Sequence, residues 1–538
     1  MVSAWYRQYV QGGSSHPVLS GLGNRGGAHG GNKLAAALRR RGGGRVTAAS
    51  VLGPVAGVAQ AAPASGPRVK LVVAQRSMTV PRFGHRVYLD PGIWVASLGS
   101  ALQLDVQRPD YTTPLSITQV VHLPGGGTQQ IPWPGSVIGK VPAGLRDFVR
   151  MTIRNARGKV VGSRRMEFCP DSYDPERSSP NGPATSPYPQ ECVGDPFPRS
   201  LVWGIAKGWA VDPAEQVFTS FRLGLGHYTV TDTIMPTYTK LLGIPAASAT
   251  ATVRVNVVKG SGCCGQAAAA AARPLSRLHS RAPGQPRGRP LASAPAVPGL
   301  QNPPASALPD LVPLPSWGIF ARHIRKSKHN SASDQLGFGA TVSVGGNAPL
   351  DVEGFRSNGS PIMKAYQYFS ENGKIIGRAR AGTIGFDSKK GHHHWHFEQF
   401  AQYQLLNSQM QLAVSSHKVG FCIAPTDPVD LLLPAAQWQP SFLGFAGGQC
   451  GSTTALWVRE MLPVGWADTY FQSVAGQSFN ITGLRNGTYY IEIVANPQGV
   501  LHETDTSNDV SLRKVILGGT KGHRTVRVPA YDGIDPEG

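Results

Sequence analysis

The chain is predicted to be mainly β, with two antiparallel β-rich domains joined by a disordered linker, the C-terminal domain being a β-sandwich. Short β-branched runs recur between Pro, Gly and Asp turns, the pattern of stacked or paired sheets. At 538 residues with 65 Gly and 44 Pro, the chain is long enough for two or three domains plus linkers. Residues 259 to 308, with Ala267 to Ala272 and repeated Arg, Pro and Ser, cannot bury enough apolar surface to fold alone.

In chain order, residues 1 to 68 read as a leader. Arg39-Arg40-Arg41 and Arg45, the weakly apolar run Val46 to Val58, and Ala59-Gln60-Ala61 follow the basic, apolar, A-x-A order of a signal peptide, displaced from Met1. A secreted, extracellular protein is therefore expected. The apolar run contains Gly53, Pro54 and Gly57 and falls short of the roughly 20 apolar residues of a spanning helix, so no membrane span is expected. From Val69 to Val258, runs such as Lys70-Leu71-Val72-Val73, Ile117-Thr118-Gln119-Val120-Val121 and Val253-Arg254-Val255-Asn256-Val257 predict an antiparallel β domain whose role the sequence leaves open. Within it Cys169 and Cys192 flank the Pro/Ser-rich loop Asp171 to Glu191, and a disulfide there would staple a segment with no core of its own. Cys263 and Cys264 are adjacent in the linker, where a mutual bridge would be strained. The second β domain spans 309 to 517, with strands including Ala340-Thr341-Val342-Ser343-Val344 and Thr488-Tyr489-Tyr490-Ile491-Glu492-Ile493-Val494, and 518 to 538 read as a tail. Few helices are expected.

The 52 Lys+Arg against 31 Asp+Glu, a formal net charge of +21, raise nucleic acid as a partner. Nine of the cations lie in residues 1 to 70 and six in 259 to 308, both without a single acid, so fifteen of the excess charges belong to low-complexity segments and no specific nucleic-acid partner is expected.

The most distinctive chemistry is Gly391-His392-His393-His394-Trp395-His396. The flanks mix apolar and polar residues as a half-buried strand does, so His392, His394 and His396 share one face and His393 points to the other. Three imidazoles suit Cu(II) or Zn(II) and suit Mg or Ca poorly, and they leave coordination positions open. An expression tag sits at a terminus and lacks an embedded tryptophan; a solvated strand with incidental histidines is the plainer alternative. Local chemistry does not choose between copper and zinc.

Further on come Phe400 to Leu406, His417-Lys418-Val419-Gly420-Phe421-Cys422, Gly465-Trp466-Ala467-Asp468-Thr469-Tyr470, Gly487-Thr488-Tyr489-Tyr490-Ile491, Ala495-Asn496-Pro497, and Glu503-Thr504-Asp505-Thr506-Ser507-Asn508-Asp509-Val510. With the histidine run, this ordered series over about residues 309 to 517 resembles the catalytic domain of the lysyl oxidase family. The resemblance implies copper held by His392, His394 and His396, and a lysine tyrosylquinone cofactor made from Lys418 and Tyr470. It implies oxidative deamination of a primary amine, with a lysine-containing polypeptide as the family's typical substrate, consuming O2 and releasing aldehyde, hydrogen peroxide and ammonia. A non-catalytic extracellular copper-binding β-sandwich and a three-histidine zinc hydrolase are the alternatives.

Residue chemistry is consistent with these roles. Only a neutral amine adds to a quinone, so Lys418 should be buried, unlike a surface lysine with a pKa of about 10.4. Asp468, Glu398 and Asp505 are candidates for the base. Residues 391 to 517 carry five Lys+Arg and nine Asp+Glu, which favours approach of a cationic amine. Against the animal members' pattern, Gly391 stands where a cysteine precedes the first ligand histidine. Cys422 and Cys450 lack their usual partners there, and the simplest inference is that they pair with each other.

Overall fold

The computed structural model describes residues 66–260 and 297–537, apart from 124, 140–143, 173, 215–219, 327–330, 358, 389–392, 417, 419, 440–449 and 475. Residues 1–65, the core of the linker with Cys263 and Cys264, and His392 thus lie outside the described residues.

The chain is mainly β, as its alternation predicts. In the strand Thr250–Lys259, Val253, Val255 and Val257 turn inward to at most 1% exposure while Thr252 and Arg254 face out. In Gly487–Ala495 the inward set is Tyr489, Ile491, Ile493 and Ala495. Helix is confined to short pieces among the described residues, the α-helix Pro236–Leu241 and three 3-10 turns, and none is long and apolar enough to cross a membrane.

The N-terminal region builds two four-stranded sheets, a two-stranded one and a five-stranded one. The five-stranded sheet runs Ser77–Arg82, Thr250–Lys259, Gly226–Ile234, Leu145–Asn155, Val160–Phe168, with its first two strands parallel and the others antiparallel. Its loop Asp171 to Glu191 is closed by the disulfide Cys169–Cys192.

Three sheets make up the C-terminal region. One is built on Ser333–Gly346, which pairs with Pro309–Pro313 and Trp317–Ile324 on one edge and with Trp466–Tyr470 and Ser478–Asn480 on the other. This strand is buried on both faces because small residues let aromatic rings lie against its backbone. A Cβ at Gly337 would come within 2.8 Å of the Phe320 ring, and one at Gly339 within 3.1 Å of Trp317. The second sheet runs His394–Phe397, Lys374–Asp387, Ile362–Glu371, Leu350–Phe355, Trp457–Leu462, and the third runs Leu412–Ser415, Ala401–Asn407, Gly487–Ala495, Val510–Thr520, His523–Arg527.

Strand structure continues past 517. His523–Arg527 pairs with Val510–Thr520, and the Tyr531 ring packs edge-on against Tyr111 and Phe197, because Val526, Tyr531 and Ile534 are apolar enough to cover the core. Beneath it Arg513, 1% exposed, forms an ion pair with Glu537 at 3.0 Å.

The described residues form one compact unit, so the two β regions share a core. The seam joins backbone and side-chain bonds: Arg199 N–H donates to Val429 C=O at 2.7 Å and Leu431 N–H to Ser200 C=O at 3.1 Å, and the Asp427 carboxylate accepts from Gly194 N–H at 2.6 Å. The segment 427–431 is thus held from the N-terminal side and, through Asp427 and Pro428, from Trp466–Tyr470 on the other.

One buried charge in the N-terminal region makes a stability prediction. Asp232 is 0% exposed with no hydrogen-bond partner on either carboxylate oxygen, and burial pushes its pKa from 3.8 up to about 7. The folded state then holds a proton that the unfolded chain releases first, so this residue's stability contribution is present below pH 4 and is lost as pH rises towards 7. Asp232→Asn is expected to stabilise the fold at pH 8 by on the order of 2–4 kcal/mol of unfolding free energy, seen as a higher melting temperature, and to change little at pH 4. Thermal unfolding at the two pH values checks this; an equal shift at both would contradict it.

Candidate functional site

The strand His394–Phe397 pairs antiparallel with Lys374–Asp387, setting His394 opposite Asp387 and His396 opposite Gly385. Its alternation is anchored by Trp395 and Phe397, both 0% exposed in the core, which turn His394 and His396 together to the other face. Their rings lie 4.6 Å apart at 73°, and His396 Nδ1 is 3.8 Å from an Asp387 carboxylate oxygen. His393 is exposed, with φ of 53°, at the point where the chain enters the strand. Among the described residues no group of three His, Cys, Asp or Glu side chains gathers as a metal cage.

Backbone pairing brings the lysine segment alongside this strand. Phe397 and Phe421 exchange N–H to C=O bonds of 2.7 and 3.0 Å, and a Cβ at Gly420 would lie 2.7 Å from the His396 Cβ. Only glycine allows that approach. Lys418, two residues earlier, is 8% exposed; its turn is fixed by the Ser416 hydroxyl, which accepts from Lys418 N–H and donates to Gly476 C=O. Gly476 has φ of 88° and a Cβ there would reach 2.9 Å from Lys418 Cβ, so glycine is required twice over.

Tyr470 comes from the fully buried strand Trp466–Tyr470, in register with Ala340. Its hydroxyl accepts from Cys422 N–H at 2.9 Å and donates to Cys422 C=O at 3.2 Å, and its ring meets Phe421 edge-on at 5.3 Å. The Lys418 ammonium nitrogen sits 3.9 Å from the Tyr470 ring centroid and 4.7 Å from that of Phe421, a cation over two aromatic faces. The disulfide Cys422–Cys450 ties the lysine segment to the residue whose carbonyl accepts from Trp395 N–H at 2.7 Å. Histidine strand, lysine segment and tyrosine strand therefore converge on residues 420–422.

Two acids complete the interior. Asp468 and Tyr470 lie two apart on one strand and so share a face. Asp468 is 2% exposed and one of its oxygens, Oδ2, has no hydrogen-bond partner among the described residues. Burial pushes its carboxyl well above the usual range, against the opposing pull of the Lys418 ammonium and the Ala424 N–H. Glu460 is 0% exposed; its Oε2 accepts from Ile423 N–H at 3.0 Å, its Oε1 has no partner among the described residues, and burial raises its carboxyl strongly too. Burial, then the neighbouring Asp468, Tyr403 and Glu460, hold the Tyr470 phenol well above its ordinary value.

Of the three acids considered as a base, the structure brings only Asp468 to Lys418 and Tyr470. Glu398 is exposed and accepts from the Thr383 hydroxyl at 2.7 Å, and Asp505 caps a surface turn through Ser507 N–H at 2.8 Å. The closing motif is structural. Asn496 donates to Glu503 at 2.5 Å, Glu503 accepts from Leu311 N–H at 3.1 Å, and Asn508 reaches Asp310, so these residues fasten the domain's first strand to its last turn. Glu460 is the residue that sequence reasoning missed. Its signal is a carboxylate in the inward phase of Trp457–Leu462, between Val458 and Leu462.

Paired imidazoles and a buried amine above a phenol ring form a donor set that fits copper and a lysine tyrosylquinone. Residues 369–525 match the family described as Lysyl oxidase. Lysyl oxidase homolog 2 of Gallus gallus is 28% identical over 150 residues, which is 28% of this chain and 17% of that protein. Lysyl oxidase homolog 4 of Bos taurus is 27% identical over 139 residues, 26% of this chain and 16% of that protein, and its Homo sapiens counterpart is 26% identical over 140 residues, again 26% and 16%. The chain therefore spans about a sixth of the length of these relatives. The likeness is to the lysyl oxidase family and is confined to this C-terminal region.

Proposed function

We propose that the chain is a secreted, copper-dependent amine oxidase that converts primary amines, with lysine side chains of polypeptides as its substrate class, to aldehydes, and that its lysine tyrosylquinone is made from Lys418 and Tyr470. The observation that carries this reading is the buried Lys418 nitrogen 3.9 Å from the Tyr470 ring centroid. His394 and His396, with His392 of the same run, would hold the copper. Copper and O2 supply the oxidising equivalents that turn the tyrosine into a quinone, and the quinone is the electron sink for the amine.

The chain's own groups do the rest. The 420–422 backbone holds the phenol oxygen through Cys422 and so fixes the ring under the lysine. Phe421 and Tyr470 hold the Lys418 ammonium while it is charged. Asp468 is the acceptor for its proton: an Nζ–H bond breaks and an Oδ2–H bond forms, leaving a neutral amine beside the ring. Burial raises the basicity of this carboxylate, which an exposed aspartate would lack. The two disulfides favour export to an oxidising compartment.

Peptide mapping by mass spectrometry on copper-loaded, aerobically matured protein tests the reading. A covalent Lys418–Tyr470 peptide pair carrying the quinone's mass change is expected. Separate, unmodified peptides at full copper occupancy would return the domain to a copper-binding β-sandwich without catalysis.

A further inference from the structure

The N-terminal β region carries its own chemical signature. Residues 66–260 hold 21 Lys+Arg against 13 Asp+Glu, opposite in sign to residues 391–517, which hold five against nine. Much of the acid is spent inside: Asp171, Asp195, Asp212 and Asp232 are each at most 3% exposed. The surface is correspondingly more basic than the count.

The cations gather at both ends of one sheet edge. Ser77–Arg82 is the outermost strand of its five-stranded sheet and runs parallel to Thr250–Lys259, with Ser77 beside Arg254 and Arg82 beside Lys259. Near the first end, a cleft of about 560 Å³ is lined by Lys70, Arg76 and Arg254. At the second, a cleft of about 680 Å³ is lined by Arg82, His85, Arg86 and Arg222, with Phe83 as its apolar wall. No carboxylate lines either cleft among the described residues, and none of these arginines and lysines makes an ion pair there.

Two pairings place like charges directly opposite each other, Arg86 with Arg222 and Arg82 with Lys259. Such cross-strand pairs destabilise a sheet unless an anion lies between them. From Arg254 to Lys259 the strand covers about 16 Å, so the two clefts are too far apart for one small anion and suit a linear chain of charges. Along the edge between them the exposed residues Ser77 and Thr79 offer hydroxyls.

We infer that this edge binds a linear acidic polysaccharide, laid along Ser77–Arg82 with its sulfate or carboxylate groups in the two basic clefts. Arginine forks match either group bidentately. A polysaccharide is favoured over nucleic acid because the rings that line the clefts, Phe83 and His85, both belong to the second cleft and the first has none, which gives no platform for successive bases along the edge, and because a disulfide-bonded chain belongs where acidic glycans are.

Fluorescence anisotropy of a labelled heparin dodecasaccharide with the full-length protein tests this, with hyaluronate of the same length and an oligothymidylate of matched charge as further probes. Arg82→Glu/Arg86→Glu/Arg222→Glu and, separately, Arg76→Glu/Arg254→Glu should each weaken binding of a glycan probe at least about tenfold at 0.15 M salt and flatten its salt dependence. Lys374→Glu/Arg380→Glu/Lys514→Glu, the same charge change on the C-terminal region, should leave it within about twofold. Heparin alone responding identifies sulfate as the group read; hyaluronate responding equally identifies carboxylate. Cleft variants that bind both glycans like the parent, or oligothymidylate bound more tightly than either glycan with the same sensitivity to the cleft variants, would overturn the inference.

Discussion

Tyr470→Phe is expected to lower amine-dependent hydrogen peroxide production on the order of a thousandfold or more, to background, while the protein stays folded and keeps its copper. The change deletes one oxygen atom. That oxygen is the site of quinone chemistry in the proposed cofactor, and in the folded chain it also bonds Cys422 N–H and C=O. Leaving those two groups unpaired costs about 1–3 kcal/mol, enough to lower the melting temperature without unfolding a unit of this size. Lys418→Met keeps the volume over the ring, removes the amine and should give the same loss. Both variants should fail to form a phenylhydrazine-reactive chromophore, a readout independent of turnover. Asp468→Asn differs in kind: the cross-link still forms, more slowly, because the buried proton acceptor beside Lys418 is gone. Full peroxide production in Tyr470→Phe would sink the cofactor assignment. Full-rate maturation of Asp468→Asn would remove only the role given to the aspartate.

Cys422→Ser/Cys450→Ser is expected to be the most destabilising change short of deleting a core aromatic. The bridge spans a sequence separation of 28 and, in chain-entropy terms, is worth about 3–4 kcal/mol. Its position adds to this. Cys422 holds the Tyr470 hydroxyl and Cys450 C=O holds the start of the histidine strand, so opening the bridge loosens two of the three segments that meet at the site. A fall in melting temperature of roughly 3–5 °C, together with a lower yield of cross-linked protein, is the expected result. Reductant should shift the parent protein towards the double variant and leave the variant responsive through Cys169–Cys192, the other bridge among the described residues. A melting temperature and cross-link yield equal to the parent's would show that packing alone holds residues 420–422.

Several features of the fold and site are legible in local pattern. Alternation in Thr250–Lys259 and Gly487–Ala495 announces strands with one inward face, and the same alternation turns His394 and His396 to one side because Trp395 and Phe397 are apolar. The order of motifs from the histidine run to Asn508 marks the family. Other features are not local. Glu503 and Asn508 read as chemistry-bearing acid and amide, yet they tie strand Pro309–Pro313 to the closing turn. Asp505, a candidate base by residue type, is a cap, and Glu460, which no motif marks, is buried beside the site. Residues 518–538 look too polar for a core, but Tyr531 packs edge-on against the Tyr111 and Phe197 rings, a contact made only once two distant regions have packed.

By itself, the sequence determined the β class and the shared face of His394 and His396, because periodicity is a property of neighbouring residues, and its resemblance to the lysyl oxidase family marked Lys418 and Tyr470 as a pair worth testing. Tertiary structure alone decided that the amine lies over the phenol ring, that Asp468 rather than Glu398 or Asp505 is beside them, and that two basic clefts flank one sheet edge. Those outcomes depend on contacts between segments far apart in the chain. Two backbone bonds at Phe397 and Phe421 and a glycine thin enough to pass His396 set which side chains face each other and leave no trace in local pattern, whereas the Cys422–Cys450 bridge, which helps hold them, was already the simplest pairing in the sequence.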